Sequence, residues 1–338
     1  MSQLAFEFDA PPAPLPPAKR RAAAGAVTLT LEEMARRLEA DPDYRVLRRL
    51  MPVMDYGPRP GAPDRADASA GVQRLLILDT ETTGLVAASD KIIELAMLLV
   101  QVDSATGLPF GLVDCFEGFE DPGMPIPAVA RQVTGITDEM VQGQRLDEGP
   151  IEALLACADL VVAHNAAFDR PFVEARFPSF AHKLWACSFA DIDWKAEGAE
   201  SAKLGALAQD RGWFYDAHRA LVDCHALLQV LACPGADGAT TGLGRLIAAA
   251  VQPSFRLRAT GAPFDSKDLL KARGYRWDGE ARVWHCSLRD EEALNDELAW
   301  LRAEVYGQRR PAQVEVAVLD ALTRYSLRPG VVEIRPLA

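Results

Sequence analysis

The sequence has only six cysteines in 338 residues, and none forms a Cys-x-x-Cys pair. They are Cys115, Cys157, Cys187, Cys224, Cys233 and Cys286. This spacing favours neither a zinc site nor a dithiol redox motif. A disulfide framework is also not expected in a chain of this size.

Long apolar runs are missing as well. No uninterrupted apolar segment approaches the roughly 18 to 20 residues that a membrane-spanning helix needs. The N-terminus lacks a basic region followed by an apolar core, the pattern of a secretory signal. We therefore expect a cytoplasmic protein without a membrane partner.

An excess of basic residues is the third missing feature, because the net charge is −12. Residues 71–235 carry 24 acidic and 11 basic side chains, whereas residues 254–310 carry 10 acidic and 11 basic ones. This balance argues against a generally basic nucleic-acid coat. The acidity lies in the middle of the chain.

Proline and alanine are abundant near the N-terminus, so we expect residues 1–27 to form a disordered tail. Within it, Gln3-Leu4-Ala5-Phe6-Glu7-Phe8 resembles peptides that dock into the bacterial sliding clamp, although a terminus without function explains it too. Apolar residues at helical spacing predict a helical hairpin within residues 28–70, which end in a linker rich in proline, glycine and aspartate.

The next segment, residues 71–235, has the pattern of an α/β domain. Three consecutive strands are predicted at 74–78, 92–102 and 111–118. They precede two helices, a short apolar strand at 160–163 and three more helices, which indicates a mixed sheet flanked by helices. Residues 236–253 are predicted to form a linker helix.

Acidic residues mark a metal site in this domain. Asp79 and Glu81 are two residues apart at the end of a strand and therefore point to one face. Asp169 follows a buried strand, and Asp223 lies within a predicted helix. Four such carboxylates can hold two Mg²⁺ or Mn²⁺ ions about 3.5 to 4 Å apart. Each residue alone is better explained as a turn former, a helix cap or a solvated side chain, and only the four together favour a metal site.

His218 lies five residues before Asp223, so the two side chains would be roughly 140° apart on one continuous helix. We therefore expect His218 on the loop or first turn that precedes the helix. A neutral imidazole there can accept a proton from an attacking water.

Four motifs together resemble the DEDDh exonucleases, the DnaQ-like 3′→5′ exonuclease family, which includes the proofreading epsilon subunit of bacterial DNA polymerase III and ribonuclease T. The motifs are Asp79-Thr80-Glu81-Thr82-Thr83-Gly84, Val133-Thr134-Gly135-Ile136-Thr137, His164-Asn165-Ala166-Ala167-Phe168-Asp169 and His218-x4-Asp223. They occur in the order and spacing of that family over residues 71–235.

The resemblance implies a ribonuclease-H-like fold, with metal ligands at Asp79, Glu81, Asp169 and Asp223 and with His218 as general base. It implies contacts with the terminal nucleotide at Thr82, Thr83 and Leu85, and a role for His164 and Asn165 in orienting the phosphate or fixing the loop. The implied reaction is metal-dependent hydrolysis of the 3′-terminal phosphodiester, releasing nucleoside 5′-monophosphates.

Single-stranded or frayed 3′ ends of DNA, in replication or repair, are the expected substrate. Two alternatives stay open: an exonuclease that trims RNA, and a nucleic-acid-binding or polymerase adaptor protein without catalysis.

A small α+β accessory module is predicted at residues 254–338. Part of it is similar to modules fused to DNA-processing enzymes. Its aromatic and basic residues suggest nucleic-acid contacts, although the tryptophans are equally suited to a small core. The candidates are Arg273, Tyr275, Arg276, Trp277 and Trp284. A short helix and a final strand are predicted after Gln313.

Overall fold

The computed structural model describes residues 29–61, 70–307 and 312–337. They divide into two compact units, one that ends at Val46 and one that begins at Leu47. The predicted tail and its Gln3–Phe8 motif lie outside the described residues. No helix among the described residues is long and apolar enough to span a bilayer.

The first unit contains one helix, α1 (Leu31–Glu39), among its described residues. Thr30 and Glu33 form a capping box at its start: the Thr30 hydroxyl accepts from the Glu33 N–H at 3.2 Å, and the Glu33 carboxylate accepts from the Thr30 N–H at 2.7 Å. This reciprocal pair satisfies two of the amide groups that the first helical turn leaves without partners.

The second unit contains the remaining elements. Its described helices are α2 (Ala128–Thr134), α3 (Asp138–Val141), α4 (Glu148–Cys157), α5 (Ala166–Arg176), α6 (Leu204–Asp210), α7 (Ala220–Ala232), α8 (Gly242–Ala250), α9 (Lys267–Ala272) and α10 (Glu291–Trp300), which continues as a π-helix over Leu301–Tyr306. Its described strands are β1 (Arg48–Arg49), β2 (Val72–Thr82), β3 (Ile92–Asp103), β4 (Pro109–Phe119), β5 (Leu160–Ala163), β6 (Trp185–Cys187), β7 (Trp213–Phe214), β8 (Ser254–Ala259), β9 (Arg276–Asp278), β10 (Val283–Leu288), β11 (Gln313–Leu319) and β12 (Val331–Pro336).

The central sheet has the strand order β4-β3-β2-β5-β6. The first three strands form an antiparallel meander, and β5 and β6 continue the sheet in the direction of β2. Helices cover both faces. The predicted α/β fold with a ribonuclease-H-like mixed sheet is confirmed.

The alternation of β2 decides which face each of its side chains joins. Leu75 and Ile77 pack with α7, whereas Leu76 and Leu78 pack with α5 on the opposite face. Because side chains along a strand alternate with a period of two, Asp79 and Glu81 continue the α7 face. This placement brings them toward the helix that carries Asp223.

The prediction of a second helix in the N-terminal hairpin is wrong. Arg48–Arg49 instead form β1, which pairs parallel with β7. The Arg48 N–H donates to the Gly212 carbonyl at 2.8 Å, and the Leu50 N–H donates to the Phe214 carbonyl at 2.9 Å. Leu50 is thereby buried in the core beside α7, so tertiary pairing overrides the local helical spacing.

A second, antiparallel sheet has the order β12-β11-β8-β10-β9. Its apolar face packs against α9, α10 and the π-helix. The short helix predicted after Gln313 is wrong, because β11 occupies that segment. Val314 and Val316 are buried and alternate with the half-buried Glu315 and Ala317, which is a strand pattern.

The segment between β11 and β12 packs against the central sheet. Arg170 in α5 is fully buried and donates to the carbonyls of Leu322 and Arg324 at 2.6 Å each. The backbone N–H of Trp185 donates to the Ala321 carbonyl at 2.8 Å. The C-terminal segment therefore contributes hydrogen bonds to the helix that carries Asp169.

Candidate active site

Three carboxylates converge at the end of β2. One carboxylate oxygen from each of Asp79, Glu81 and Asp223 lies within 4.8 Å of the other two. Asp79 and Glu81 leave β2 on the face that packs against α7, and Asp223 lies in the first turn of that helix. All three are half-buried. They are three of the four carboxylates for which the sequence predicts a shared metal site.

Asp169 reaches the same strand from the other face of the sheet. It lies early in α5 and is 2 % exposed. Its Oδ1 accepts from the Thr80 hydroxyl at 2.7 Å and from the Thr80 N–H at 3.1 Å. Thr80 lies between Asp79 and Glu81, so Asp169 is held beside the three carboxylates but is not one of that close group.

The four carboxylates hold their protons more tightly than free acids do. Burial, followed by the negative charge of Asp223, raises the pKa of Glu81 to about 8. Burial raises the pKa of Asp169 to about 7 and also raises the pKa of Asp223. Burial and then Asp169 raise the pKa of Asp79 well above its usual range. We call these four residues, Asp79, Glu81, Asp169 and Asp223, the carboxylate cluster. It concentrates mutually repelling acids where a cation would relieve the repulsion.

His218 lies on the loop just before α7 and is exposed. Its backbone is in the left-handed region, with φ 67°, and its N–H donates to Asp223 Oδ2 at 2.7 Å. This bond ties the loop to the carboxylate cluster. The position agrees with the expectation that His218 precedes the helix.

Glu94 and Arg219 are contacts that the motif analysis missed. Glu94 in β3 lies opposite Glu81 and is fully buried. Its carboxylate accepts from Arg219 Nη2 at 2.9 Å and from the Ala220 N–H at 3.0 Å. It therefore fixes the start of α7, two residues after His218. A single charge inside the apolar run of β3 was the available sequence signal.

The turn after β2 carries the predicted nucleotide contacts. Thr82 and Thr83 are buried, with the Thr82 hydroxyl donating to the Gly84 carbonyl at 2.6 Å and the Thr83 N–H donating to the Lys91 carbonyl at 2.9 Å. Leu85 is 83 % exposed. Leu85 is therefore the member of this set with an apolar side chain open to a ligand.

His164 and Asn165 follow β5, whose last residue Ala163 pairs with Leu78. Because β5 and β2 are parallel, both residues lie at the same sheet edge as Asp79. His164 Nδ1 is 2.8 Å from the Ser188 hydroxyl, and burial lowers the pKa of His164 to about 4, so the ring is neutral. Asn165 is exposed with φ 72° and starts α5.

The candidate accessory contacts lie apart in the second sheet. Tyr275 is buried in the core, and Arg273 pairs with Glu297 at 3.1 Å. Trp277 is 52 % exposed, and its ring centroid is 5.5 Å from that of Trp284. Within this set, Arg273, Arg276 and Trp277 are exposed.

Oxygen donors alone make up the carboxylate cluster, and this donor set suits a hard divalent cation such as Mg²⁺ or Mn²⁺. The raised pKa values agree, because a cation would replace the protons. The arrangement can thus hold a divalent metal ion at the end of β2, beside the exposed His218 on the loop before α7.

Comparison with known proteins indicates that the central part of the chain is a nuclease that hydrolyses nucleic acid. Residues 76–231 match the RNase_T family, described as exonuclease. A PolC-type DNA polymerase III of Listeria monocytogenes is 39% identical over 107 residues, which are 30% of this chain and 7% of that protein. The PolC-type polymerase of Halalkalibacterium halodurans is 38% identical over 104 residues, with the same shares. The chain therefore spans only a small part of these relatives.

Two solved structures are similar in part. Exonuclease X in complex with 5′ overhanging duplex DNA is 28% identical, with a TM-score of 0.36, and the match covers 47% of this chain and 89% of that one. A full-length 3′-exonuclease is 16% identical, with a TM-score of 0.35, and the match covers 49% and 62%. Both scores are too low for these structures to bear on the fold or the substrate.

The family match spans the segment that holds all four motifs and every residue of the carboxylate cluster. Residues 76–231 are therefore an exonuclease domain of the RNase_T family, and over this segment the resemblance to the DnaQ-like 3′→5′ exonucleases is confirmed.

Proposed function

We propose that this protein removes nucleotides from the 3′ end of DNA as nucleoside 5′-monophosphates, in replication or repair. Asp79, Glu81, Asp169 and Asp223 hold two Mg²⁺ or Mn²⁺ ions, and His218 is the general base. The observation that carries the proposal is the convergence of Asp79, Glu81 and Asp223 within 4.8 Å, inside a segment that matches an exonuclease family.

Bound divalent ions would supply an acidified water and neutralise charge on the phosphodiester. The protein's own groups perform the remaining work. Thr80 donates to Asp169 Oδ1 and so fixes the direction of that carboxylate. His218 is exposed beside the cluster, where a ring nitrogen can take the proton of the attacking water.

The terminal nucleotide is proposed to lie on the turn after β2. Leu85 offers an exposed side chain to the last base or sugar. Thr82 and Thr83 act mainly by holding that turn, given their internal hydrogen bonds. His164 and Asn165, at the neighbouring strand end, orient the phosphate.

DNA is preferred over RNA because the relatives named above are DNA polymerases. The carboxylate cluster itself does not discriminate between the two sugars. Matched single-stranded DNA and RNA of one sequence, each labelled at the 5′ end, separate the two cases. With Mg²⁺ we expect a ladder of DNA that shortens from the 3′ end, and nucleoside 5′-monophosphates as products.

Three controls complete this experiment. EDTA should stop the reaction, and a 3′-terminal block that replaces the hydroxyl-bearing nucleotide should delay it. Degradation of RNA alone would replace the DNA assignment with RNA trimming. Binding of both strands without hydrolysis would favour the adaptor protein.

Contact with a sliding clamp or polymerase through Gln3–Phe8 is part of the proposal, on the sequence pattern alone. Deletion of residues 1–8 should remove binding to the clamp in a pull-down with purified proteins. If the intact chain does not bind the clamp, this partner is excluded.

A further inference from the structure

The second sheet has a polar face opposite the one that packs on its helices. In that sheet Arg276, His285 and Arg258 pair in register across β9, β10 and β8, so their side chains share one face in a single row. Arg256 lies two residues from Arg258 on the same face and pairs with Ser287. We call Arg256, Arg258, Arg276 and His285 the basic face.

The helices of this part of the chain lie on the other side of the sheet. Phe255 and Leu257 alternate with the arginines of β8 and are buried in the core that α9, α10 and the π-helix complete. Trp284 and Cys286 of β10 join the same core. The basic face is thus the side of the sheet turned away from these helices.

Two carboxylates share the basic face with its three arginines, so they offset only part of its positive charge. Glu315 lies opposite Arg258 in β11, at an N–O distance of 3.6 Å. Asp278 in β9 accepts from the backbone N–H groups of Glu280 and Ala281 at 3.0 and 2.9 Å. One of its carboxylate oxygens is therefore occupied by the turn between β9 and β10.

The guanidinium groups of Arg256 and Arg276 have no hydrogen-bond or ion-pair partner within the part of the chain that the structure describes. Arg256 is also half-buried, and burial followed by the charge of Arg258 lowers its pKa. A guanidinium has five donors and keeps its charge, so both side chains have donors available for an anion.

His285 carries the second sign of an incomplete site. Its Nδ1 is buried and has no hydrogen-bond partner among the described residues. The ring lies between Arg258 and Arg276 in the row, and burial followed by the charge of Arg256 lowers the pKa of His285. An anion placed across this row would supply acceptors to both arginines and offset their repulsion.

We propose that the basic face binds the sugar–phosphate backbone of the substrate strand, at a site separate from the carboxylate cluster. The choice of a nucleic acid as the polyanion rests on the proposed function. A central segment with 24 acidic and 11 basic residues repels a polyanion, so a strand needs a cationic surface elsewhere in the chain. Arginine forks match phosphate oxygens in geometry and charge.

The test is binding of a fluorescent oligothymidylate to the full chain in EDTA, followed by anisotropy over a range of salt concentrations. The double variant Arg258→Ala/Arg276→Ala should bind about tenfold more weakly, and the slope of log K against log salt should fall by about 1.4, for two lost phosphate contacts at about 0.7 each. The variant Arg258→Lys/Arg276→Lys should keep most of the slope, because it keeps both charges.

Lys195→Ala/Lys271→Ala is the matched control, since both lysines are exposed and lie off the basic face. It should leave the slope nearly unchanged. If the arginine and lysine variants lose the same affinity, the effect is one of net charge alone and the proposal is overturned. Unchanged affinity in the Arg258→Ala/Arg276→Ala variant would also overturn it. Equal melting temperatures for all variants exclude unfolding as the cause.

A separate measurement keeps this proposal apart from the proposed function. The wild-type chain with Mn²⁺ should hydrolyse the p-nitrophenyl ester of thymidine 5′-monophosphate, which is too small to reach a second site. Failure there with intact strand binding would remove the nuclease assignment and leave the basic face. Ester hydrolysis with no strand binding in EDTA would remove the proposed role of the basic face and leave the nuclease assignment.

Discussion

At the scale of single residues, the carboxylate cluster trades stability for a cation site. Asp79, Glu81, Asp169 and Asp223 all have raised pKa values, chiefly because they are buried. Groups of this kind are typical of functional sites, since a structural role would favour paired charges. The joint pattern therefore argues against the separate roles of turn former, cap or solvated residue.

Glu81→Gln should stabilise the metal-free protein at alkaline pH. The pKa of Glu81 is about 8 in the folded chain and has a reference value of 4.5, so the native state binds the proton more tightly. Stability from this group is complete below about pH 4.5 and is lost as the pH rises through 8. In EDTA at about pH 8.5, the melting temperature should rise by roughly 2–4 °C, and near pH 5 the difference should shrink.

The control for this change is Glu280→Gln, at an exposed position on the β9–β10 turn, which should alter the melting temperature little at either pH. Added Mg²⁺ should stabilise the wild type more than Glu81→Gln. A lower melting temperature for Glu81→Gln at pH 8.5 would contradict the idea that this carboxylate is held under repulsion.

Glu94→Ala should reduce turnover although Glu94 is not one of the proposed metal ligands. The change removes the acceptor for Arg219 and for the Ala220 N–H, and thus loosens the loop that carries His218. We expect a loss of about 2–4 kcal/mol in the free energy of unfolding, and a larger fall in kcat than rise in KM.

Glu94→Gln distinguishes positioning from stability alone, because the amide oxygen can still accept from the Ala220 N–H. It should restore part of kcat. Two variants with equal stability loss and full kcat would show that Glu94 has only a structural role.

At the scale of secondary-structure elements, local patterns predicted most of the catalytic domain. The meander, the strand at 160–163 and the helices that carry Asp169 and Asp223 follow from apolar periodicity and motif spacing. The errors arose where long-range pairing decides the structure. Arg48–Arg49 pair with β7, some 165 residues away. The alternation of Val314 and Val316 was a local strand signal that was not recognised.

The site was predictable to a similar degree. Motif order identified the carboxylates, but could not show that Asp169 reaches Thr80 from the opposite face of the sheet. Nor could it show that Glu94 in β3 fixes the start of α7, since that contact joins residues 126 positions apart.

Arg170→Ala tests the link between α5 and the segment that joins β11 to β12. Arg170 is buried and bonds to the Leu322 and Arg324 carbonyls and to Glu174. Its removal takes the donor from the Arg324 carbonyl and leaves Leu322 and Glu174 with Arg328 as a donor, so unfolding should become easier by about 3–5 kcal/mol. Denaturant titration measures this loss.

Arg335→Ala is the matched control, because Arg335 pairs only locally with Glu333 in β12; its cost should be below about 1 kcal/mol. An equally small cost for Arg170→Ala would show that the C-terminal segment does not stabilise α5.

At the scale of the whole molecule, the proposed hydrolysis and strand binding lie on two surfaces of the second unit. An acidic cluster lies at the edge of the central sheet, and a basic face lies on the second sheet. The buried Arg170 contacts connect the two sheets, so the second sheet is part of the same unit as the catalytic domain. We expect the carboxylate cluster to perform hydrolysis and the basic face to retain the strand.

The most direct test of the account is the rate at which Asp169→Asn degrades 5′-labelled single-stranded DNA with Mg²⁺, compared with the wild type. Asparagine keeps the size of the side chain and an oxygen that can accept from Thr80, but it removes the charge. We predict a fall in rate of at least about a thousandfold with a melting temperature in EDTA no lower than that of the wild type. Turnover within a few fold of the wild type would contradict the assignment of this cluster as the catalytic centre.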